Sequence, residues 1–239
     1  MVIKQDVWLS EIFEYPVFAI FINQALDVDQ INAYVKCQKK AFYFCKIPTA
    51  EVATVRNLMS LGFYVVDTAL SFQKSEYNTV AVENSQISII DSSMVEAEKI
   101  LEIAESCFKY SRFHLDPEIP DVVANKIKKE WTNNCVKKKR GDRLFVATVD
   151  KQVCGFLAAL YTGTPENSTA VIDLIGVDKA MQRMGVGSSL VQAFEKIYGQ
   201  TSTRLIVGTQ AANIVSSNLY QKLGYRLYNS NYILHFHKS

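Results

Sequence analysis

The chain has 239 residues, enough for one large domain or two small ones, and its 49% hydrophobic and 21% charged content is that of a folded globular protein, not a disordered one. Twenty-six basic residues against 24 acidic ones leave a formal charge of +2, too little for the basic surface of a dedicated nucleic-acid binder. No apolar run reaches the roughly 18–20 residues of a membrane span, residues 1–10 do not lead into a secretion signal, and five cysteines (Cys37, Cys45, Cys107, Cys135, Cys154) lack metal-type spacing. The expectation is a cytoplasmic protein with free thiols, no metal, and no membrane or nucleic-acid partner.

The first 78 residues read as a small α/β unit. Apolar patterning predicts a strand at 18–22, a helix at 31–39, a strand at 41–45, a helix at 51–60 and a strand at 63–73. Apolar content falls at 75–78, which predicts a linker and a division into 1–78 and 79–239. A strand is expected within 79–90. Ser93-x-x-Glu96 is a capping box, and behind it Met94, Ala97, Ile100, Leu101, Ala104 and Phe108 recur at helical spacing. A second helix starts at Asp121 after Pro120, with Val123, Ile127 and Trp131 on one face. Runs at 144–149 and 153–161, joined by Asp150-Lys151, predict a hairpin, and 170–177 another strand. A glycine-punctuated turn then leads into a helix carrying Leu190, Phe194 and Ile197. A strand at 205–208, a helix at 214–223 and a closing strand pair at 225–236 complete the chain. Leu61-Gly62-Phe63 recurs as Leu223-Gly224-Tyr225, 162 residues later. Duplication and a common helix C-cap both account for it.

The stretch Ile175-Gly176-Val177-Asp178, then Gln182-Arg183-Met184-Gly185-Val186-Gly187-Ser188, then an amphipathic helix, has the form of an anion cradle. Glycines let the backbone approach a ligand, and the unsatisfied N–H groups and dipole of a helix start favour a diphosphate. The spacing is neither that of a P-loop nor of a dinucleotide-binding Gly-x-Gly-x-x-Gly. A second motif follows: Asn213, then Tyr220 seven residues on, then Leu223-Gly224-Tyr225. Gln-x-x-Gly-x-Gly together with this motif resembles the Gcn5-related N-acetyltransferase (GNAT) superfamily over about residues 79–239. Leu61-Gly62-Phe63, Ser111-Arg112-Phe113 and Trp131 are similar to the bacterial TDP-fucosamine N-acetyltransferases. That branch carries an extra N-terminal α/β unit and acetylates the 4-amino group of a dTDP-linked dideoxy sugar in surface-polysaccharide (lipopolysaccharide) synthesis.

The resemblance implies an α/β GNAT fold, a mixed central sheet with flanking helices, plus the smaller N-terminal unit. It implies acetyl-CoA as co-substrate and a primary amine as acceptor, here a dTDP-4-amino-4,6-dideoxyhexose. A peptide N-terminus, a polyamine, another small amine, or an acyl-CoA-binding module without turnover are the alternatives. Tyr220 is the implied general acid for the departing thiolate; otherwise it is an aromatic on the buried face of its helix. Ile175, Gly176 and Val177 would lie beside the pantetheine arm, with a backbone N–H polarising the acetyl carbonyl and Gly176 marking a bulge. Gln182, Arg183, Gly185, Val186, Gly187 and Ser188 would hold the diphosphate. Asn213 would bind the cofactor, cap the following helix, or both. Asp173, placed by alternation on the face of Ile175, is either a base or a structural hydrogen-bonding group. Arg112 and Phe113 are candidates for acceptor contact, or for ordinary loop packing. Lys137-Lys138-Lys139-Arg140 reads as a solvated turn, and His114, His235 and His237 have no metal or nucleophile pattern. A homodimer is left open.

Overall fold

In the computed structural model, which describes residues 1–22, 28–75, 86–91, 97–164 and 167–239, strand and helix follow the apolar periodicities closely. The N-terminal elements are β1 (Val2–Gln5), α1 (Val7–Phe13), β2 (Val17–Phe21), α2 (Val28–Cys37), β3 (Ala41–Pro48), α3 (Val52–Ser60) and β4 (Tyr64–Lys74). The rest are β5 (Ser88–Asp91), α4 (Ala97–Cys107), α5 (Asp121–Val136), β6 (Arg143–Val149), β7 (Gln152–Thr164), β8 (Asn167–Val177), α6 (Val186–Tyr198), β9 (Arg204–Gln210), α7 (Ile214–Lys222) and β10 (Arg226–Lys238). Patterning missed β1 and α1, which are short; the Asp6 side chain caps α1 by accepting from the Leu9 N–H. The capping box at 93–96 and most of the linker and of the strand expected at 79–90 lie outside the described residues.

The ten strands of the described residues form one mixed sheet in the order β1-β2-β3-β10-β4-β9-β8-β7-β6-β5. One face is covered by α2 and α3 over Tyr43, Phe63 and Leu234, and by α6 and α7 over Phe72, Ile172 and Val207. The other face is covered by α4 and α5 over Val146, Phe156 and Leu174, and by α1 and the α4–α5 connection over Phe42. The glycine cradle and the α4–α5 connection therefore approach the sheet from opposite faces.

The closing strand pair is a correction. Residues 226–238 form one continuous strand, with β3 along one edge of β10 and β4 along the other. The reason lies in the repeat. Residues 52–60 and 214–222 are helices at an offset of 162, followed by Gly62 at φ +95° and Gly224 at φ +86°, then by β4 and β10. The same offset relates the pairings. Asn231 pairs with Pro48, its counterpart Ala69 pairs with Gln210, and Ala69 and Asn231 pair with each other. A local twofold thus passes between β4 and β10, and each half lends its last strand to the other. No turn is needed within 226–238, because β4 occupies the place a return strand would take.

Candidate active site

Parallel pairing of β8 with β9 runs from Thr169/Arg204 to Ile172/Val207 and stops there, although both strands continue. Beyond Ile172 the edge of β8 toward β9 is open through Val177. The parting coincides with a β-bulge: Ile172 pairs with Ala159 and Leu174 with Ala158, leaving Asp173 as the extra residue. The bulge therefore lies at Asp173 and not at Gly176. It also reverses the alternation, so Asp173 turns to α5 while Ile175 and Val177 pack toward α6. The Asp173 carboxylate accepts from Arg140 Nε (2.7 Å) and Nη2 (2.8 Å) and from Trp131 Nε1 (2.9 Å). That is a structural pairing. Lys137, Lys138, Lys139 and Arg140 all stand exposed in the turn, as predicted, and Arg140 additionally reaches Asp173 from it. Gly176 is required for another reason: a Cβ would lie 2.6 Å from the Phe156 ring and 2.9 Å from Cys107 Sγ.

The cradle stands at the end of β8. Gly185 holds φ +90° as the N-cap of α6 and offers no side-chain cap, so the first-turn N–H groups remain available. Arg183 is also left-handed, at φ +66°, and exposed; Gln182 Nε2 donates to the Val177 carbonyl at 3.4 Å. Val186 is buried in the core, so only its backbone faces outward, while Ser188 is half-buried in the first turn. At Gly187 a Cβ would sit 3.4 Å from Leu219 and 3.9 Å from Val177, in the gap between β8 and α7. A free strand edge, a slot open at a glycine and an uncapped helix start fit the amide-bearing arm and diphosphate of a coenzyme A thioester.

Asn213 caps α7, its side chain accepting from the Ser216 N–H at 3.2 Å. Tyr220 is 2% exposed and packs beside Phe72 and Tyr225. Burial raises its pKa, with a hydrogen bond to Ser216 opposing, so the phenol keeps its proton at neutral pH.

On the opposite face, Arg112 and Phe113 separate in role. Phe113 is buried, and its ring supports the Arg112 guanidinium at 4.3 Å while Phe44 covers the other side at 3.9 Å. Arg112 Nη1 donates to His235 Nε2 (3.2 Å), which makes Nδ1 the protonated nitrogen that donates to Asp116 Oδ2 (2.5 Å). His237 Nε2 (2.9 Å) donates to the same oxygen, and Tyr64 Oη (2.7 Å) to the other. Burial alone would raise the Asp116 pKa, but these hydrogen bonds hold it well below the carboxylate range. Burial pushes His235 down to about 4, keeping it neutral. The three ligand-type atoms of Asp116, His235 and His237 lie within 4.8 Å of one another, already joined by these hydrogen bonds.

Sequence reasoning missed two further groups here. Lys128 is buried on α5, its ammonium 4.8 Å from the Phe108 ring centre and 4.9 Å from that of Trp131; burial, with Arg112 adding to it, lowers its pKa to about 8. Asp67 on β4 is 6% exposed, and burial raises it to about 6. The signals were present: a lysine within the apolar stripe of α5, and an aspartate inside a strand of apolar residues. Among the described residues no carboxylate lies within ion-pair distance of Arg112 or Lys128.

Residues 97–225 match the acetyltransferase (GNAT) family. The spore coat polysaccharide biosynthesis protein SpsD of Bacillus subtilis is 27% identical over 141 residues, 59% of this chain and 47% of that protein, so the chain spans about half the length of this relative. Similar folds occur in a functionally unknown conserved protein from Staphylococcus epidermidis (14% identity, TM-score 0.65, 92% of this chain and 83% of that one) and a GCN5-related N-acetyltransferase from Sphaerobacter thermophilus (10%, 0.64, 93% and 72%). A tandem GNAT protein from the clavulanic acid biosynthesis pathway also superposes (11%, 0.60, 94% and 76%). The family match covers the open strand edge, the cradle and Tyr220, and with it the chain belongs to the acetyltransferase (GNAT) family.

Proposed function

We propose that this chain moves the acetyl group of acetyl-CoA to the amine of a nucleotide-linked amino sugar, a dTDP-4-amino-4,6-dideoxyhexose, in the cytoplasm. The observation that carries the acceptor class is the pair of enclosed cations, half-buried Arg112 and buried Lys128: carboxylates (Asp6, Asp67 and Asp116 for Arg112, Asp173 for Lys128) attract them only from beyond ion-pair distance. An enclosed cation without a direct ion pair is costly, and an anionic acceptor such as a sugar diphosphate, in direct contact, lowers that cost. The polysaccharide role printed for the 27%-identical SpsD supports a sugar substrate, and five free thiols suit a reducing compartment.

Acetyl-CoA supplies an activated thioester. In this reading the N–H groups of Gly187 and Ser188 and the side chains of Gln182 and Arg183 hold its diphosphate, and the open edge at 174–177 aligns its arm and polarises the carbonyl. Asn213 fixes the start of α7, and Tyr220 gives its proton to the sulfur as the thiol leaves. Phe113 acts on the acceptor through Arg112, by holding the guanidinium flat.

The experiment compares kcat/KM for a dTDP-4-amino-4,6-dideoxyhexose, spermidine and a short peptide, with dTDP as competitor. The sugar nucleotide is expected to win, and dTDP to inhibit competitively against it. If peptide or polyamine wins and dTDP does not compete, the acceptor assignment is wrong.

A further inference from the structure

The strand that the N-terminal half lends to the other half carries a carboxylate toward the transfer site. Ile172 of β8 pairs with Val207 of β9, and Val207 pairs with Phe72 of β4. From this common level β8 runs forward to Val177 and β4 runs back to Asp67, so Asp67 stands level with the open edge of β8. β9 ends at Gln210, opposite Ala69, and does not reach that level. Asp67 pairs with Ile233, which places it on the face that carries His235 and Arg112.

The carboxylate is only half satisfied. The Thr68 N–H donates to it, but among the described residues Oδ2 is buried without a hydrogen-bond partner. Two rungs along, on the same face, where Ala69 pairs with Asn231, the Asn231 Nδ2 is also buried without a partner among the described residues. Buried polar groups are nearly always paired, so together they describe a missing ligand with a donor for Asp67 and an acceptor for Asn231. An amine flanked by a hydroxyl has that pattern.

We propose that Asp67 is the general base of the reaction, receiving the acceptor's ammonium and taking one proton from it, with Asn231 donating to a neighbouring hydroxyl. This rests on the acetyl-transfer reading above. The freed amine nitrogen forms its bond to the acetyl carbon as the carbon–sulfur bond breaks. The sulfur takes the Tyr220 proton, the phenolate recovers a proton from the new amide nitrogen, and Asp67 releases the first proton to solvent. Asp173, on the other strand, is occupied by Arg140 and Trp131 and is not available for the task.

The charged group facing this carboxylate is Arg112, whose own charged neighbours are Asp6 before α1, Asp116 in the α4–α5 connection and Lys128 on α5, with Tyr64, His235 and His237 bonded to Asp116. The test is Asp67→Asn, which keeps shape and the Thr68 bond. With whichever primary amine the wild type acetylates, log kcat/KM is expected to fall with unit slope below about pH 6. The variant should lose that limb and roughly 10²–10⁴-fold in kcat, with KM for acetyl-CoA unchanged. A variant that keeps the limb and the rate overturns the proposal, whatever the acceptor proves to be. Independently of turnover, the ¹³C carboxyl signal of Asp67, assigned by its loss in the variant, should titrate near 6; titration near 4 overturns the proposal as well.

Discussion

Replacing Gly187 by alanine separates stability from cofactor binding. Gly187 lies in the first turn of α6 without a positive φ, and the added methyl meets Leu219 at 3.4 Å and Val177 at 3.9 Å, both ordinary contacts. Folding alone therefore tolerates it. Alanine in place of a helical glycine gains about 0.5–1 kcal/mol, which for a chain of this size raises Tm by about 1–4 °C. The same methyl enters the gap between β8 and α7. A ligand threading that gap must draw away from the strand edge or from the helix N–H groups, and each hydrogen bond to a charged group given up costs about 1.5–3 kcal/mol. One such loss weakens acetyl-CoA binding by roughly 10–150-fold. Calorimetric titration with acetyl-CoA and differential scanning of the same preparation read both quantities. Gly185→Ala is the contrasting variant: at φ +90° the side chain itself costs about 1–2 kcal/mol, so binding and Tm fall together. Wild-type affinity in a folded Gly187→Ala protein would refute the placement of the cofactor in this gap.

Tyr220→Phe preserves the packing against Phe72 and Tyr225 and removes the hydroxyl with its Ser216 hydrogen bond, so stability should fall by no more than about 0.5–1.5 kcal/mol and acetyl-CoA affinity should hold while kcat falls roughly 10²–10⁴-fold. Near-wild-type kcat, with chemistry rate-limiting, removes Tyr220 from the acid role. Asp173→Asn keeps an acceptor for Trp131 but loses the charge facing Arg140; thermal melts should show a loss of about 1–3 kcal/mol, with kcat changed only a few-fold. A folded variant with kcat down 100-fold or more would make Asp173 a reacting group after all.

The cradle was legible because its chemistry is local: Gly185 and Gly187 answer to backbone conformation and close approach within a few residues of sequence. Helices and most strands were legible for the same reason, since one buried face imposes a period. The closing pair failed because a strand's length is not set by its own residues alone. Residues 226–238 lack a turn, and what keeps them extended is β4, far away in the chain. Asp173 failed through one extra residue, as a single bulge exchanges the two faces of a strand and defeats counting by twos. Asp67 and Lys128 were visible as polar intrusions into apolar stripes. Their meaning depended on knowing which face the stripes turned to.

The strand exchange also gives the N-terminal unit a role that covering a sheet edge would not. If β10 turned back on itself, its return strand would lie beside β9, and whatever residues it carried would border the gap below the bulge. Here β4 lies in that place, so the position level with Ile175–Val177 is filled by Asp67 from the other half. β10 in return carries His235 beneath Arg112, and β3 supplies Phe44 against the guanidinium. Removing residues 1–78 would strip partners from both edges of β10 and from one edge of β9, and would take the carboxylate and the aromatic support away in the same step. The cradle and Tyr220 lie within 79–239, whereas the cluster around Arg112 and Asp67 draws on both halves. On the proposed roles the division of labour runs between donor and acceptor: one half carries the elements suited to a coenzyme A thioester, and the lent strand carries Asp67, the proposed base.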